Sequence, residues 1–352
     1  MEHVYYEFPV YAGQIIERVR SRDWFIHSFN IGDKDDVYNP AAYLYNTKFF
    51  GKNYTVYLDL NIYQYVISAF KKEKIEELHR DAIALMVFGK FTNITFDPTL
   101  AIYEKVNYSS KCSDEITNDL ELFRQIDNAD MNDMAMFALG GCKADIVLPN
   151  SCFVDHENVK LELTKYRRLK KWDSLYLYVL VITKLHQDQG LTNEEKLLAF
   201  IRWCHEEFSY SLVAMSFFIA LIGRKPKPRL MKYNAKENLI EKEKSLLNMT
   251  WDIFLLDKFF ECWVGKTSGK EFIYASNDKP LKHVLELAIS IQVRESSSHL
   301  VDVISDRVIC SINGIQSLIE NKCHKNRKIF NAPNFQQYRL NLIEQNRKIL
   351  LT

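Results

Sequence analysis

A short apolar segment that ends in an acid constrains the fold more than any other feature of this chain. Residues 54–63 read Tyr-Thr-Val-Tyr-Leu-Asp-Leu-Asn-Ile-Tyr, so Asp59 closes an apolar run and Asn61, a residue type that caps helices, follows it. A run that is apolar on both alternating faces favours a strand buried in a parallel sheet. Asp59 is then expected at the carboxyl end of that strand, where open α/β sheets place their ligand sites.

The same arrangement recurs near the other end of the chain. Residues 272–275 are strand-like, residues 276–278 (Ser-Asn-Asp) break the run, and Pro280 opens a helix at a position where its missing N–H costs nothing. We expect residues 54–60 and 271–275 to be neighbouring parallel strands of a central sheet. Asp59 and Asp278, each at a strand end beside a helix N-terminus, would then be placed to share a metal ion.

Two further acids lie between these segments. Glu104 is predicted early in a helix that follows residues 95–98, and Asp252 is predicted in the first turn of another helix, after Thr250. Asp257 competes with Asp252 but lies about 140° around the helix from it. Asp252 is preferred, because it lies at the N-terminal end of the apolar helix face formed by Leu255, Leu256, Phe259 and Trp263.

In this order the four acids resemble the pattern of the PIN-like nuclease family. That pattern is a strand ending in D-x-N, a helix Glu, a helix Asp followed by apolar residues, and a strand ending in an S/T-N-D turn. The corresponding segments here are Leu-Asp59-Leu-Asn61, Tyr-Glu104, Trp-Asp252-Ile-Phe-Leu-Leu256 and Ala-Ser-Asn277-Asp278-Lys-Pro-Leu281. The resemblance covers residues 52–108 and 248–292.

The resemblance implies an α/β fold with a PIN-like central parallel sheet flanked by helices. It also implies that Mg²⁺ or Mn²⁺, bound by Asp59, Glu104, Asp252 and Asp278 as catalytic acids, supports phosphodiester hydrolysis, with RNA favoured over DNA. Mg²⁺ prefers oxygen ligands and keeps several waters, so a few carboxylates suffice. The metal would activate a bound water and neutralise charge on the phosphate.

The domain organisation follows from the long gap between Glu104 and Asp252. We predict a nuclease core at residues 51–108 and 248–295, split by a large, mostly helical insertion at 109–247. An N-terminal extension covers residues 1–50, and a helical C-terminal region covers 296–352. PIN-like proteins with large insertions suggest, by analogy, a bacterial toxin or phage-defence effector, which would need a protein regulator or antitoxin. The oligomeric state stays open.

Two basic segments of the insertion are candidates for substrate binding. The first contains Arg167, Arg168, Lys170 and Lys171 with aromatic residues between and beside them, and the second contains Arg224 and Lys225 in a proline-rich loop. Lys and Arg contacts to phosphates supply most non-specific affinity for nucleic acid, and aromatic rings stack on bases. The alternative for each segment is an ordinary solvated helix face or surface loop.

Composition limits the partners and the compartment. Lys plus Arg (46) nearly balances Asp plus Glu (45), so any nucleic-acid surface must be a local patch. The seven cysteines include no C-x-x-C pair, which favours reduced thiols and a cytoplasmic protein over a zinc ribbon or a disulfide framework. The N-terminal residues do not resemble a signal peptide, and the longest apolar stretch, residues 212–222, is shorter than a membrane span. No membrane partner is expected.

Two rival functions remain open at this stage. Residues Arg22 to His27 resemble the R-x4-H motif of HEPN ribonucleases, which cut RNA without a metal and carry this motif within a helical bundle. Alternatively, the protein is a non-catalytic module with a PIN-like scaffold that binds nucleic acid or protein. Chelation separates the first rival from a metal-dependent nuclease, because EDTA abolishes only the metal-dependent activity.

Overall fold

The computed structural model describes nine parts of the chain: residues 6–27, 36–108, 113–150, 155–165, 169, 171–265, 269–293, 300–320 and 332–352. The chain divides into two compact units. The first unit comprises residues 1–168 and 261–277, and the second comprises residues 169–260 and 278–352. Residues of the predicted insertion therefore contribute to both units.

A small mixed sheet lies in the first unit. Its strands, in the order β1-β4-β2-β3, are β1 (Phe25–Ile26), β2 (Asn53–Leu58), β3 (Thr95–Asp97) and β4 (Lys270–Ala275). β2 pairs in parallel with both β3 and β4, and β1 pairs antiparallel with β4. The prediction that β2 and β4 are neighbouring parallel strands is confirmed. The fold is α/β in the broad sense, with far more helix than strand.

Strand β2 is one of the two inner strands of this sheet, and its side chains alternate between the two faces. Tyr54, Val56 and Leu58 are buried on one face, where they join the main apolar core of the first unit. Tyr57 lies on the opposite face, and its ring stacks on the ring of Phe272 from β4 at 5.8 Å between centroids. The chain leaves β2 towards β3 on one side, whereas β4 lies on its other side. The carboxyl ends of β2 and β4 therefore form a topological switch point, the place where open α/β sheets bind ligands.

Eight helices of the described residues surround the sheet in the first unit. Helix α4 is the central one, with twelve buried residues, and it packs against α1, α2, α3 and α7. The bounds are α1 (Ala12–Arg22), α2 (Pro40–Phe50), α3 (Leu60–Lys71), α4 (Glu77–Thr92), α5 (Thr99–Tyr108), α6 (Ser113–Asn128), α7 (Met131–Ala138) and α8 (His156–Lys165).

The described part of the second unit is helical. Every residue of α11 is buried, which explains its uniformly apolar sequence, and α11 packs against α9, α10 and α13. The bounds are α9 (Trp172–Gln187), α10 (Asn193–Glu206), α11 (Leu212–Ile222), α12 (Leu239–Val264), α13 (Lys279–Val293), α14 (Asp306–Glu320) and α15 (Phe335–Leu351); the end of α12, from residue 261, is counted with the first unit. Among the described helices, none has both the length and the hydropathy needed to cross a bilayer.

Candidate active site at the carboxyl ends of strands β2 and β4

Asp59 caps helix α3 directly after strand β2. Its backbone is extended, and its Oδ1 accepts a hydrogen bond of 2.9 Å from the backbone N–H of Leu60. The expectation that Asn61 caps the helix is wrong, because Asn61 is already the second residue of α3. Its amide donates instead to Asp59 Oδ2 at 3.3 Å. The shorter Asp side chain, one position before the helix, reaches the exposed helix N–H groups first.

A hydrogen-bond network joins Asp59 to the end of β4. The hydroxyl of Ser276 donates to Asp59 Oδ2 at 2.8 Å, and the backbone N–H of Asp59 donates to the carbonyl of Ala275 at 2.9 Å. The backbone N–H of Ser276 donates in turn to the carbonyl of Trp24 at 3.0 Å. Asp59 and Ser276 are both buried, at 4% and 2% exposure. The two strand ends are thus held in a fixed arrangement around one carboxylate.

Asn277 extends this network rather than capping a helix. The indole N–H of Trp24 donates to Asn277 Oδ1 at 3.0 Å, and Asn277 Nδ2 lies 3.4 Å from the hydroxyl of Tyr65, as a donor. The rings of Trp24 and Tyr65 stack at 6.4 Å between centroids. The Asn277 amide is therefore held by tertiary partners, from Trp24 just before β1 and from Tyr65 of α3.

The electrostatics of Asp59 suit cation binding. A buried carboxylate is costly unless charged or polar partners compensate it. Here two side-chain donors and one backbone N–H point at its oxygens and stabilise the ionised form. A hard divalent cation binds carboxylate oxygens, so an oriented Asp59 is a suitable kind of ligand.

Glu104 lies in the same unit, in the second turn of α5, and is partly exposed. Helix α5 packs against β2 and α3, the two elements that carry Asp59. The neighbouring Lys105 is buried and forms an ion pair with Asp119, which also pairs with Lys71. This ion cluster, in which Lys105 and Asp119 are buried and Lys71 is partly exposed, fixes α5 against α3 and α6 and so sets the position from which Glu104 projects.

Asp252 and Asp278 belong to the second unit. Asp252 was predicted in the first turn of a helix, and this is wrong, because α12 begins at Leu239 and Asp252 lies in its middle. Thr250, which looked like a cap, donates its hydroxyl to the carbonyl of Leu246 within the helix. The Asp252 carboxylate, with its side chain 14% exposed, forms an ion pair of 2.6 Å with Lys232.

Asp278 marks the start of α13. Its Oδ1 accepts a hydrogen bond of 3.2 Å from the backbone N–H of Leu281, and Pro280 occupies the first turn as predicted. Asp257, the competitor of Asp252, forms an ion pair of 3.2 Å with Lys171. Both Asp252 and Asp257 therefore carry a lysine partner.

The described residues contain no ready-made cluster of metal ligands. No group of three or more His, Cys, Asp or Glu side chains among them is close enough to hold one ion. Mg²⁺ does not require such a cluster, because proteins commonly bind it through one or two carboxylates together with waters and substrate phosphates. Asp59 fits that simpler kind of site.

The basic segments have local partners where the structure describes them. Arg167, Arg168 and Lys170 lie outside the described residues. Lys171 precedes α9 and pairs with Asp257, as noted above. Arg224 donates to the carbonyl of Val301 at 2.5 Å, and Lys225 lies 3.5 Å from Asp302. Both loop residues are exposed, and their role in substrate binding stays a prediction.

The rival R-x4-H motif lies in a different structural setting from the helical bundle in which HEPN ribonucleases carry it. Arg22 is the last residue of α1, and its Nε donates to Asp81 Oδ2 at 2.5 Å. The buried Asp81 carboxylate also pairs with Arg18 at 2.6 Å. His27 follows the two-residue strand β1 rather than lying in a helical bundle. The ion pair with a buried carboxylate favours a structural role for Arg22.

No protein-family model, curated protein or solved structure matches this chain. The functional argument therefore depends on the geometry around Asp59. Sequence reasoning missed two residues of that geometry, Ser276 and Trp24. Ser276 could have been found from its position directly after β4, beside Asn277. Trp24 carries no local signal, because its role depends on the pairing of β1 with a strand that lies far away in the sequence.

Proposed function

We propose that this protein is a metal-dependent nuclease, with Asp59 as the carboxylate that holds Mg²⁺ or Mn²⁺ and RNA favoured over DNA as its substrate. One observation carries the proposal. A buried, hydrogen-bonded carboxylate lies at the switch point between two parallel strands. Those strands are the two that the resemblance to PIN-like nucleases requires to be neighbours. Ligand sites of open α/β sheets occur at this position.

The chain's own residues position the carboxylate in this proposal. Ser276 and the N–H of Leu60 fix the orientation of Asp59, so little reorganisation is needed when a cation binds. When bound, the metal would supply an activated water and charge neutralisation at the scissile phosphate. A fixed, partly dehydrated carboxylate also strengthens the electrostatic attraction for the cation.

The remaining acids enter the proposal through the resemblance. Glu104 and Asp278 are candidates as further ligands or as residues that orient water. Asp252 is the weakest candidate, because its ion pair with Lys232 would have to open before it could bind a cation. Arg167, Arg168, Lys170, Lys171, Arg224 and Lys225 remain candidates for phosphate contacts. A role as a bacterial toxin or phage-defence effector, controlled by a protein regulator or antitoxin, is a prediction by analogy.

The test is cleavage of a fluorescently labelled single-stranded RNA with Mg²⁺, with Mn²⁺ and with EDTA. Asp59→Asn keeps the shape and the helix cap but removes the charge, so it should abolish cleavage while the protein stays folded. The matched control is Asp130→Asn, which changes another helix-capping Asp of the first unit, at the start of α7. It should retain wild-type activity.

Other outcomes of this experiment would support one of the two rival functions or overturn the assignment of Asp59. Cleavage that persists in EDTA and is lost in Arg22→Ala would support the metal-independent ribonuclease. RNA binding without any cleavage, in all metals, would support a non-catalytic module. Equal metal-dependent activity in Asp59→Asn and the wild type would overturn the assignment of Asp59.

A further inference from the structure

A cavity of about 520 Å³ lies in the first unit, and its lining does not include Asp59 or any other residue used in the functions considered above. Its volume falls within the range of small-molecule sites. It opens between the outer face of strands β2 and β3 and helices α5, α6 and α8. Apolar walls come from residues such as Ile102, Phe123 and Val159, and its polar lining includes Thr55, Thr95, Asp97, Arg124, Asp127 and Glu162.

The polar floor of the cavity is set by strand geometry. Thr55 of β2 and Thr95 of β3 are directly opposite each other in the parallel pair, and Asp97 lies two residues further on, on the same face. The backbone N–H of Thr99 donates to Asp97 Oδ1 at 2.8 Å, which fixes that carboxylate at the start of α5. Hydroxyl and carboxylate oxygens are thus presented side by side at fixed positions.

Helix α6 supplies the second acidic wall. Phe123 and Asp127 are four residues apart and therefore share one face of the helix, which lines the cavity. Burial raises the pKa of the Asp127 carboxyl, and the nearby ammonium of Lys90 offsets this only in part. Among the described residues, no donor forms a hydrogen bond to the carboxyl oxygens of Asp127. This partly buried carboxyl lines the cavity and is accessible to a bound cation.

The charge of the lining selects the chemistry of a ligand. Three carboxylates, from Asp97, Asp127 and Glu162, face one guanidinium, from Arg124, so the lining carries a formal excess of negative charge. Within the described residues, these three carboxylates do not form a cluster close enough to hold one metal ion together. A lining that combines acidic and apolar side chains matches a ligand whose ammonium groups are joined by methylenes.

We propose that this cavity binds a small aliphatic polyamine, with ammonium groups on Asp97 and Asp127 and methylenes against Ile102 and Phe123. The two threonine hydroxyls would accept further N–H groups. This site is independent of the proposed nuclease activity, and its occupancy can be measured without any cleavage reaction.

Isothermal titration calorimetry with spermidine, on the full chain at constant ionic strength, tests the proposal. Spermidine should bind one site per chain. Asp127→Asn and Asp97→Asn should each weaken binding by about tenfold or more, the loss expected for one charge-assisted hydrogen bond. Asn retains the cap at position 97, so that variant keeps the fold if Asp127→Asn does not. Circular dichroism checks the fold of each variant.

The charge-matched control is Glu73→Gln, which removes an exposed acid of the first unit outside the cavity. It should leave the affinity unchanged. Absence of spermidine binding to the wild type would overturn the proposal. So would an equal loss of affinity in Glu73→Gln and in the two cavity variants, because non-specific attraction would then explain the binding.

Discussion

Removal of the Asp59 side chain should destabilise the first unit by an amount that the hydrogen bonds define. Asp59→Ala deletes the cap of α3, which costs about 1 kcal/mol. It also removes the buried hydrogen bond that the hydroxyl of Ser276 donates to a charged carboxylate, at a further cost of about 1–3 kcal/mol. We therefore expect a total loss of about 2–4 kcal/mol. Asp130→Ala, which removes an exposed cap without breaking a buried hydrogen bond, should cost only about 1 kcal/mol.

The second variant of this experiment is Ser276→Ala, alone and combined with Asp59→Ala. Because each single variant breaks the same hydrogen bond between Ser276 and Asp59, the loss in the double variant should be smaller than the sum of the single losses by about 1 kcal/mol. The chain has two compact units, so global unfolding need not be two-state. Native-state hydrogen exchange of the peptide spanning β2 and α3 reports the local free energy of opening. Additive losses, or an Asp59→Ala effect no larger than that of Asp130→Ala, would refute the reasoning.

Three further predictions concern the core, a buried ion cluster and a histidine. Gly89→Ala should destabilise the first unit by about 1–3 kcal/mol in urea unfolding, because its Cβ would overlap the Phe96 ring, whereas Gly314→Ala, with open space at its Cβ, should stabilise α14 by about 0.5–1 kcal/mol. Asp119→Ala should cost about 3–5 kcal/mol by hydrogen exchange of α5, because it removes the carboxylate that pairs with the buried Lys105; a loss below 1 kcal/mol would contradict this. Burial lowers the pKa of His79 below its ordinary value of about 6.5, so its stabilising contribution is complete above that pH and is lost as pH falls through the folded-state pKa. His79→Gln should reduce the difference in urea midpoint between pH 7.5 and pH 5.5, and an unchanged difference would exclude this role.

The elements that depend on local patterns were predictable from the sequence. Apolar runs bounded by turn residues predicted strands β2 and β4. Because both runs end in polar residues beside a helix N-terminus, they were also predicted to pair in parallel. Helix α11 coincides with the longest apolar stretch of the sequence, which contains Ser216, and the start of α13 followed from Pro280. Each of these depends on residues within a few positions of one another.

The features that were missed depend on longer relationships. Strand β1 has only two residues, and its pairing with β4 leaves no periodic signal. Asp252 looked like a helix N-terminus because Thr250 resembles a cap, yet the apolar spacing continues back to Leu246 and earlier. The cavity was missed because Asp97 and Asp127 come from separate elements, β3 and α6, that only the tertiary fold brings to one lining.

The assignment of Asp59 as a metal-binding carboxylate is tested most directly by crystals of the protein soaked in Mn²⁺. Anomalous scattering identifies the ion without any assumption about activity. The account predicts a peak about 2.0–2.5 Å from an oxygen of Asp59, and its loss in Asp59→Asn crystals. Manganese bound elsewhere, with no peak at Asp59 in a protein that still cleaves RNA in a metal-dependent manner, would contradict it.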